Sequence, residues 1–338
     1  MSETDALIIE LRHVSKRFEK TLDGTAHLIR RIRGMAHRLP PTAVVRAVED
    51  VNLTIRRGEV LGLVGESGCG KSTLGRMVAG IMPPSAGQVL YRGQDRATLH
   101  GTAAREARLR VQMIFQDPYA CLNPRLRVAE IVGEAPRVHG LIPRGQNEQY
   151  LDAQLRRAGI DPAYKRRYPH QFSGGQRQRI GIARALAVQP EFLVCDEAVA
   201  ALDVSIQAQI LNLFMDLRQE LDLTYLFISH DLGVVEHLSD RVAIMYLGRI
   251  VEQAGTEDAF ARPNHPYTQA LLAEVPRLDA RARRFIAIKG EIPSPLHPPT
   301  GCHFHPRCIS AFARCSTEVP ALREVAPGHL SACHLNNG

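Results

Sequence analysis

Hydrophobic and polar positions follow two alternating patterns along residues 48–255. Short apolar runs such as Val60–Val64 and Phe192–Cys195 have the length and composition of buried strands. Between such runs lie longer stretches in which apolar residues recur every three or four positions, and Ile206–Leu221 is a clear example. Strands that alternate with amphipathic helices predict an α/β fold.

The sequence changes character after Gly255. About half of the 21 prolines and four of the seven cysteines lie beyond that residue. Because proline fixes φ and lacks an amide hydrogen, this region is expected to contain extended segments and turns with few long helices. The sequence therefore predicts a core domain over residues 1–255 and a C-terminal extension over residues 256–338.

Composition narrows the class of protein. The 338 residues include 42 Lys and Arg and 35 Asp and Glu, which gives a net charge of +7, and 45% are hydrophobic. These fractions exclude collagen-like, disordered and coiled-coil chains. No apolar run has the length of a bilayer-spanning helix, and the acidic N-terminus does not resemble a secretory signal. A soluble, intracellular, mildly basic chain of the size of an enzyme is expected, and the odd number of seven cysteines without a secretory signal argues against a disulfide framework.

The segment Lys20–Arg46 is basic and contains Pro40 and Pro41. It is interpreted as a loop-rich insertion. A solvated loop is the simpler expectation, and contact with acidic lipid headgroups or with a partner subunit is the alternative. The net charge of +7 does not by itself indicate a nucleic-acid partner, and none is predicted.

A phosphate-binding motif follows the apolar run Val60–Val64. It has the form GxxxxGK[ST] and leads from a strand into a helix, which is the setting this motif requires. Its residues are Gly65, Glu66, Ser67, Gly68, Cys69, Gly70, Lys71, Ser72 and Thr73. The glycines let successive backbone amides converge on phosphate oxygens, and the helix N-terminus adds a favourable dipole. Since Lys71 is expected to reach the β- and γ-phosphates and Ser72 to ligate Mg²⁺, the motif predicts nucleoside triphosphate binding.

An acidic pair ends the apolar run Phe192–Cys195. Asp196 follows the strand directly and is expected to hold the Mg²⁺ shell. Glu197 is placed to polarise an attacking water as a general base. The alternative is that Glu197 only caps the next segment. Cys195, inside the apolar strand, is interpreted as a small core residue.

A second anion site is predicted where another helix begins. The turn consists of Ser173, Gly174, Gly175 and Gln176, and the helix runs toward Val188. Exposed amides at such a helix start bind anions. A chain with a complete phosphate-binding motif needs no further phosphate site for the same nucleotide. The turn is therefore expected to serve a nucleotide held by a second subunit.

These three motifs, in this order and spacing, resemble the Walker A, LSGGQ signature and Walker B motifs of ABC transporter ATP-binding subunits. The resemblance implies a P-loop nucleotide-binding domain with a RecA-like core, an antiparallel β subdomain and a helical subdomain at about residues 117–179. It also implies a head-to-tail dimer in which two ATP molecules each lie between one subunit's Walker A and the other's signature. The second subunit would be a diverged sister chain or a copy of this chain.

The same resemblance implies partners in the membrane. A groove in the helical subdomain would accept a coupling helix from one of two transmembrane permease subunits. The chain is therefore expected at the cytoplasmic face of the cell membrane, as a peripheral subunit.

Further roles are implied by position within the family pattern. Gln116 resembles the Q-loop glutamine that senses Mg²⁺ and the transporter contact, and Asp203 lies in a segment that resembles the D-loop. His230 follows the strand-like run Leu223–Ser229 and resembles the switch histidine that contacts the γ-phosphate. Phe18 lies where the family places an aromatic residue that stacks on adenine. A purely structural role is the alternative for each of these residues.

The sequence departs from the family pattern at three positions. Phe172 replaces the first leucine of the signature, and Ala198 and Ala200 replace the usual proline and serine. None of these changes removes a charge or a donor that the chemistry needs. Because Glu197 and His230 are both present, the site is predicted to be competent for hydrolysis.

Gln116–Pro124, Asn264–Thr268 and the proline-rich, cysteine-containing end resemble the peptide-importer branch of the family. The resemblance covers nearly the whole chain and implies an ATPase that powers import of dipeptides or oligopeptides. An extracytoplasmic substrate-binding protein would be an indirect partner. Nickel or glutathione are alternative solutes. A second class of function is a soluble ABC ATPase that acts on ribosomes or DNA. Such proteins usually carry two cassettes or large coiled-coil inserts, whereas this sequence has one Walker A and one signature motif. A third is a non-catalytic regulatory subunit, and the presence of Glu197 argues against it.

The C-terminal extension contains four cysteines whose spacing matches neither a zinc ribbon nor a ferredoxin. They are Cys302, Cys308, Cys315 and Cys333. Some peptide-importer ATPases have a similar pattern and use it for a [4Fe–4S] cluster, which is the expectation here. Zinc is an alternative because three histidines are close in sequence, and free thiols are another. These histidines are His303, His305 and His334. No role is assigned to Cys69 and Cys121 beyond their local turns.

Overall fold

The computed structural model describes residues 7–19, 44–273 and 290–336, which form two β-sheets with helices packed against them. The strands are β1 (Leu7–Glu19), β2 (Val44–Arg56), β3 (Val60–Val64), β4 (Ala86–Tyr91), β5 (Gln94–Asp95), β6 (Val111–Ile114), β7 (Phe192–Asp196), β8 (Thr224–Ser229), β9 (Arg241–Tyr246), β10 (Arg249–Gly255), β11 (Arg323–Ala326) and β12 (His329–Ser331). The α-helices are α1 (Lys71–Val78), α2 (Gly101–Arg110), α3 (Pro118–Cys121), α4 (Val128–Val138), α5 (Asn147–Arg157), α6 (Gly174–Leu186), α7 (Val204–Leu221), α8 (Leu232–Leu238), α9 (Thr256–Ala261), α10 (Pro266–Ala273) and α11 (Ala313–Thr317).

The larger sheet has the strand order β11-β12-β10-β9-β3-β8-β7-β6. Its strands β6, β7, β8, β3 and β9 are parallel neighbours. Strands β3, β7 and β8 are buried along their whole length, as expected when helices cover both faces of a parallel sheet. The apolar face of α7 packs on this sheet through Ile210, Phe214 and Leu217. The predicted α/β fold is therefore confirmed.

The carboxyl ends of the parallel strands bring the motifs of the sequence to one edge of the sheet. Val64 of β3 is in register with Ser229 of β8, and Ile228 of β8 is in register with Asp196 of β7. Ligand sites in parallel α/β sheets form at this edge, because the loops after neighbouring strands meet there. The phosphate-binding loop, the acidic pair and the segment after β8 therefore lie side by side.

The smaller sheet is antiparallel, with the order β2-β1-β4-β5. Ile9 and Leu53 from this sheet share one buried cluster with Leu63 of β3 and Leu74 of α1. The antiparallel sheet is thus packed onto the phosphate-binding region. This arrangement agrees with the β subdomain that the family resemblance implied.

The helical region lies between β6 and β7. Helices α3, α4 and α5 fall within the residues predicted as a helical subdomain, about 117–179. Leu151 and Leu155 of α5 share a buried cluster with Ile180 of α6 and Leu193 of β7. Helix α6 therefore connects the helical region to the main sheet.

The C-terminal extension continues the main sheet. Glu252 of β10 is in register with Ser331 of β12, and β12 pairs in turn with β11. Its described α-helices are short, in accordance with the high proline content. The boundary between residues 255 and 256 stays a prediction.

Two sequence expectations concern segments rather than sites. Most of the basic insertion, residues 20–43, lies outside the described residues. Among the residues that are described, no helix has the length and apolarity needed to cross a bilayer.

A buried histidine makes the fold sensitive to acid. His265 is 1% exposed, and burial lowers its pKa to about 4. Its Nδ1 accepts a hydrogen bond from the amide of Tyr267 at 3.0 Å, which requires a neutral ring nitrogen. Because this pKa lies below the ordinary value of 6.5, the unfolded chain takes up the proton first as the pH falls. The stability contribution is complete above about pH 6.5 and is lost toward pH 4.

We expect His265→Asn to reduce the decline in the free energy of unfolding between pH 7 and pH 4 by up to about 3 kcal/mol. Chemical denaturation at a series of pH values measures this decline. The exposed His100 provides the matched control, since His100→Asn should leave the slope unchanged. Parallel slopes for the wild-type chain and His265→Asn would contradict the prediction.

Candidate functional site

The phosphate loop, defined here as Gly65–Thr73, connects β3 to α1 through a tight backbone path. Gly70 has φ +110°, and a Cβ atom there would lie 2.2 Å from the carbonyl oxygen of Ala47. A Cβ on Gly65 would lie 2.1 Å from the carbonyl oxygen of Met245. Side chains cannot fit at either position, so the loop needs glycine to pass between β2 and β9.

Lys71 is enclosed by the loop that it follows. Its side chain is 4% exposed, and Nζ donates hydrogen bonds to the carbonyl oxygens of Gly65 at 2.6 Å and Glu66 at 3.0 Å. The loop is wrapped around a buried ammonium group. A buried cation whose hydrogen bonds go to neutral carbonyl and thiol groups is well suited to an anionic ligand.

Ser72 and Asp196 form the polar pair next to this lysine. The Ser72 hydroxyl donates to Oδ1 of Asp196 at 2.8 Å, although the two residues lie on different elements, α1 and β7. Asp196 is 3% exposed, and burial raises the pKa of its carboxyl group while the bond from Ser72 opposes that shift. A hydroxyl and a carboxylate oxygen at this distance are suitable ligands for Mg²⁺.

Glu197 is the centre of a second polar group. Its backbone has φ +48°, a left-handed conformation that a non-glycine residue adopts rarely, and its amide donates to the carbonyl oxygen of Ile228 at 3.0 Å. Gln116 Nε2 donates to Glu197 Oε2 at 2.7 Å, and His230 Nδ1 lies 3.5 Å from the same oxygen. The His230 side chain is 57% exposed. Gln116 and His230, from two different loops, therefore converge on the carboxylate of Glu197.

The alternative that Glu197 caps the following helix does not fit this geometry. Helix α7 begins after Asp203, whose side chain makes no capping hydrogen bond. The carboxylate of Glu197 is directed to Gln116 instead.

Phe18 lies near the end of β1, in register with Val45 of β2. The carbonyl oxygen of Ala47, two residues further along β2, faces Gly70 of the phosphate loop. The ring of Phe18 is partly exposed, and Lys16 Nζ lies 5.5 Å from its centroid. Phe18 is therefore on the strand pair that borders the phosphate loop.

The signature turn lies at the start of α6, in the helical region. Ser173 Oγ accepts from the amide of Gln176 at 3.3 Å, and Gln176 Oε1 accepts from the amide of Ser173 at 3.1 Å. This reciprocal capping box fixes the helix start. Gly175 is needed for close packing, since a Cβ there would lie 2.5 Å from Cγ2 of Ile206 on α7.

The sequence-predicted residues thus fall into two groups. The phosphate loop, Asp196, Glu197, Gln116 and His230 come together at the sheet edge. Ser173, Gln176 and Asp203 are exposed to solvent, and in the described part of the chain no hydrogen bond connects them to the phosphate loop.

Two residues of this region have no counterpart in the sequence prediction. Arg307 donates to the carboxylate of Glu66, and Tyr267 accepts a hydrogen bond from the Glu66 amide. Tyr267 belongs to the segment Asn264–Thr268, which the sequence marks only as a branch feature. Arg307 directly precedes Cys308, and no local pattern distinguishes it from a surface arginine.

Two cysteines of this region, Cys69 and Cys195, are buried. Cys69 is buried, its pKa is raised by that burial, and its Sγ lies 3.9 Å from Lys71 Nζ. Cys195 is fully buried in β7, in agreement with its interpretation as a core residue. Ser67 and Gly68 are exposed at the tip of the loop.

The expectation of a [4Fe–4S] cluster or a zinc ion in the extension finds no support. Among the described residues, which include all four cysteines, no group of three or more His, Cys, Asp or Glu side chains could hold a metal ion. Burial raises the pKa of Cys302 to about 11, and it also raises the pKa values of Cys308 and Cys333.

The three nearby histidines each contact the backbone through one ring nitrogen. Each forms a hydrogen bond with a backbone carbonyl oxygen. These bonds join His303 Nδ1 to Leu247 at 3.1 Å, His305 Nδ1 to Cys302 at 2.9 Å and His334 Nε2 to Glu318 at 2.9 Å.

Comparison with protein families gives two matches along the chain. Residues 48–200 match the ABC transporter family, and residues 251–315 match the family described as oligopeptide/dipeptide transporter, C-terminal region. The first match contains the phosphate loop and the acidic pair. The second contains Tyr267 and Arg307.

Two relatives are similar over most of their length. The chain is 53% identical over 293 residues to the probable peptide ABC transporter ATP-binding protein y4tS of Sinorhizobium fredii, covering 86% of this chain and 83% of the relative. It is 50% identical over 295 residues to the oligopeptide transport ATP-binding protein AppF of Bacillus subtilis, covering 86% of this chain and 90% of the relative.

Two solved structures are similar in fold. One is cbiO1 of Clostridium perfringens, part of an ABC transporter complex, with a TM-score of 0.61, 26% identity and coverage of 76% of this chain and 92% of that chain. The other is the ATP-binding cassette MJ0796, solved as a dimer in a post-hydrolysis state with ADP and Pi. It has a TM-score of 0.60, 25% identity and coverage of 74% of this chain and 99% of that chain.

Proposed function

The chain belongs to the family of ABC transporter ATP-binding proteins, and from this premise we propose that it binds and hydrolyses ATP to power import of dipeptides or oligopeptides. The arrangement at the sheet edge carries the proposal. A buried lysine, a Ser–Asp pair and a carboxylate held by Gln116 and His230 lie within one site. The relatives are named as peptide and oligopeptide transport ATP-binding proteins, which supports the peptide branch.

Each group in the site has a role in nucleotide binding. The amides of Gly65–Thr73 and the ammonium of Lys71 bind the phosphates, and Phe18 stacks on adenine. Ser72, Asp196 and Gln116 would hold Mg²⁺. The ion, when bound, neutralises charge on the phosphate oxygens. The Ser72–Asp196 distance of 2.8 Å supports this ligand set.

Hydrolysis depends on the group around Glu197. Its carboxylate accepts a proton from the attacking water, and the amide of Gln116 orients that carboxylate through the 2.7 Å hydrogen bond. His230, which is exposed beside the same oxygen, contacts the γ-phosphate. The left-handed backbone of Glu197 supports a functional role, since such conformations are retained where the local geometry is needed.

The exposed residues of the second group serve a partner ATPase. Ser173, Gly174, Gly175 and Gln176 contact the nucleotide of the other subunit, and Asp203 lies at the same interface. The exposure of Ser173, Gln176 and Asp203 supports this role, as does the dimeric state of the similar cassette MJ0796. The partner is a diverged sister chain or a second copy.

The complete machine contains further subunits. The helical region, about residues 117–179, binds a coupling helix from one of two transmembrane permeases, and the chain lies at the cytoplasmic face of the membrane. An extracytoplasmic binding protein delivers the peptide and contacts this chain only through the permeases. Residues 1–255 form the motor, and residues 256–338 form the extension typical of the branch.

Purification of the tagged chain, co-expressed with the products of neighbouring genes, tests this function. We expect a detergent-solubilised complex with two permeases and a second ATPase subunit. After reconstitution in lipid vesicles with the binding protein, peptides should stimulate ATP hydrolysis several-fold. Nickel and glutathione form parallel arms that would identify the alternative solutes. Recovery of ribosomes or DNA without a membrane subunit would contradict the transport assignment.

A further inference from the structure

Glu66, the second residue of the phosphate loop, is held from the C-terminal extension. Arg307 Nη1 donates to Glu66 Oε2 at 2.7 Å, and Nη2 donates to Oε1 at 3.0 Å. The side chains are 5% and 18% exposed, respectively. A parallel, two-bond contact between guanidinium and carboxylate is strong and fixes orientation as well as distance.

The backbone of the same residue has a second contact with the extension. The amide of Glu66 donates to Tyr267 Oη at 2.9 Å. Tyr267 is fully buried, and its ring centroid lies 4.7 Å from that of Tyr246 and 5.4 Å from that of Phe304. A hydroxyl on a ring packed this closely has little freedom to move.

Glu66 also connects these contacts to the lysine of the site. Its carbonyl oxygen accepts a hydrogen bond from Lys71 Nζ at 3.0 Å. The side chain, amide and carbonyl of one loop residue are therefore bonded to Arg307, Tyr267 and Lys71, respectively. A shift of either extension residue would move the carbonyl that positions Lys71.

Charge gives the arginine a second effect. A carboxylate inside a phosphate-binding loop repels an anionic ligand, and the repulsion is strong where the groups are shielded from water. Arg307 supplies the opposite charge at hydrogen-bond distance. The hydrogen bond with Glu66 raises the pKa of Arg307 further above its usual value, so its charge is constant over the physiological range.

We propose that Arg307 and Tyr267 are positioning residues of the ATP site, through which the C-terminal extension orients the phosphate loop and neutralises Glu66. The proposal rests on the proposed function of the loop as an ATP site. It implies that the C-terminal extension contributes to the affinity of the site for ATP. Neither residue contacts the reacting atoms, so their effect is exerted through Glu66.

The experiment uses the full-length chain and a fluorescent ATP analogue with Mg²⁺. The variants are Arg307→Gln, Arg307→Lys, Glu66→Gln, the double variant Glu66→Gln/Arg307→Gln, Tyr267→Phe and Arg314→Gln. Arg314 is the matched control, because it lies in the extension and pairs with Glu318 at 2.7 Å without contacting the loop. The dissociation constant, KM, kcat and Tm without nucleotide are measured for each variant.

We expect Arg307→Gln to raise the dissociation constant about tenfold and to increase KM more than it lowers kcat. Arg307→Lys should restore part of the affinity, because it keeps the charge and loses the two-bond geometry. In the Glu66→Gln background, Arg307→Gln should change the dissociation constant less than about threefold, since the partner charge is already absent. Arg314→Gln should bind like the wild-type chain.

A dissociation constant for Arg307→Gln within about twofold of the wild-type value would overturn the proposal, and so would an equal loss in both backgrounds. Tyr267→Phe removes only the hydroxyl, so it provides a test if Arg307→Gln does not fold. That variant should raise the dissociation constant about threefold and lower Tm by only a few degrees, and wild-type affinity would contradict the proposal. Failure of the wild-type chain to bind the analogue would instead refute the ATP site itself.

Discussion

Glu197→Gln is expected to slow ATP hydrolysis by at least about 100-fold while ATP binding is retained. Glutamine has nearly the same shape as glutamate, and its amide oxygen still accepts the hydrogen bond that Gln116 donates at 2.7 Å. It cannot accept a proton from water at neutral pH, so only the general-base step is removed. Phosphate release under saturating ATP measures the loss.

The matched control is Glu236→Gln, which changes an exposed glutamate on α8 near the same edge of the sheet. It should hydrolyse ATP at the wild-type rate. A Glu197→Gln variant with wild-type turnover would refute the assignment of Glu197 as the general base. Loss of both binding and turnover would indicate a structural role for Glu197.

Lys71→Ala is expected to weaken ATP binding roughly 100-fold. The side chain is almost fully buried, and its ammonium group is the positive charge at the centre of the phosphate loop. Alanine removes charge-assisted hydrogen bonds to the phosphates, each of which contributes about 1.5–3 kcal/mol. Titration with a fluorescent ATP analogue measures the affinity.

Lys165→Ala is the control for Lys71→Ala. Lys165 lies in the helical region, where its ammonium group pairs with Asp152 at 2.7 Å, and its loss should leave ATP affinity unchanged. Unaltered binding by Lys71→Ala would show that the loop does not hold the triphosphate. A fall in Tm for Lys71→Ala, without nucleotide, would report the lost bonds to Gly65 and Glu66 separately.

Several site residues were predicted together with their chemistry because their motifs are local. The glycines, Lys71 and Ser72 belong to consecutive positions, and a strand followed by a helix places them with little help from the rest of the chain. The apolar run before Asp196 likewise predicts that the carboxylate lies at the end of a buried strand. Such features depend on backbone conformation over a few residues, which the sequence encodes directly.

The metal expectation, which finds no support, depends on information of the opposite kind. Four cysteines within one region suggest a ligand group, but whether thiols are exposed and face one point depends on how distant segments pack. Among the described residues, no group of three or more His, Cys, Asp or Glu side chains is arranged to hold a metal ion. The sequence therefore shows which cysteines and histidines are close along the chain, but not how their side chains are arranged in space.

The α/β class, the phosphate loop, the acidic strand end and the position of the signature turn at a helix start follow from the sequence. Two sets of contacts are visible only in the tertiary structure. Gln116 and His230 contact the carboxylate of Glu197, and Arg307 and Tyr267 form hydrogen bonds with Glu66. The physical reason is the range of the interactions. Local motifs follow from backbone preferences of neighbouring residues, whereas these contacts join segments far apart in sequence and exist only once the sheet and its extension have packed.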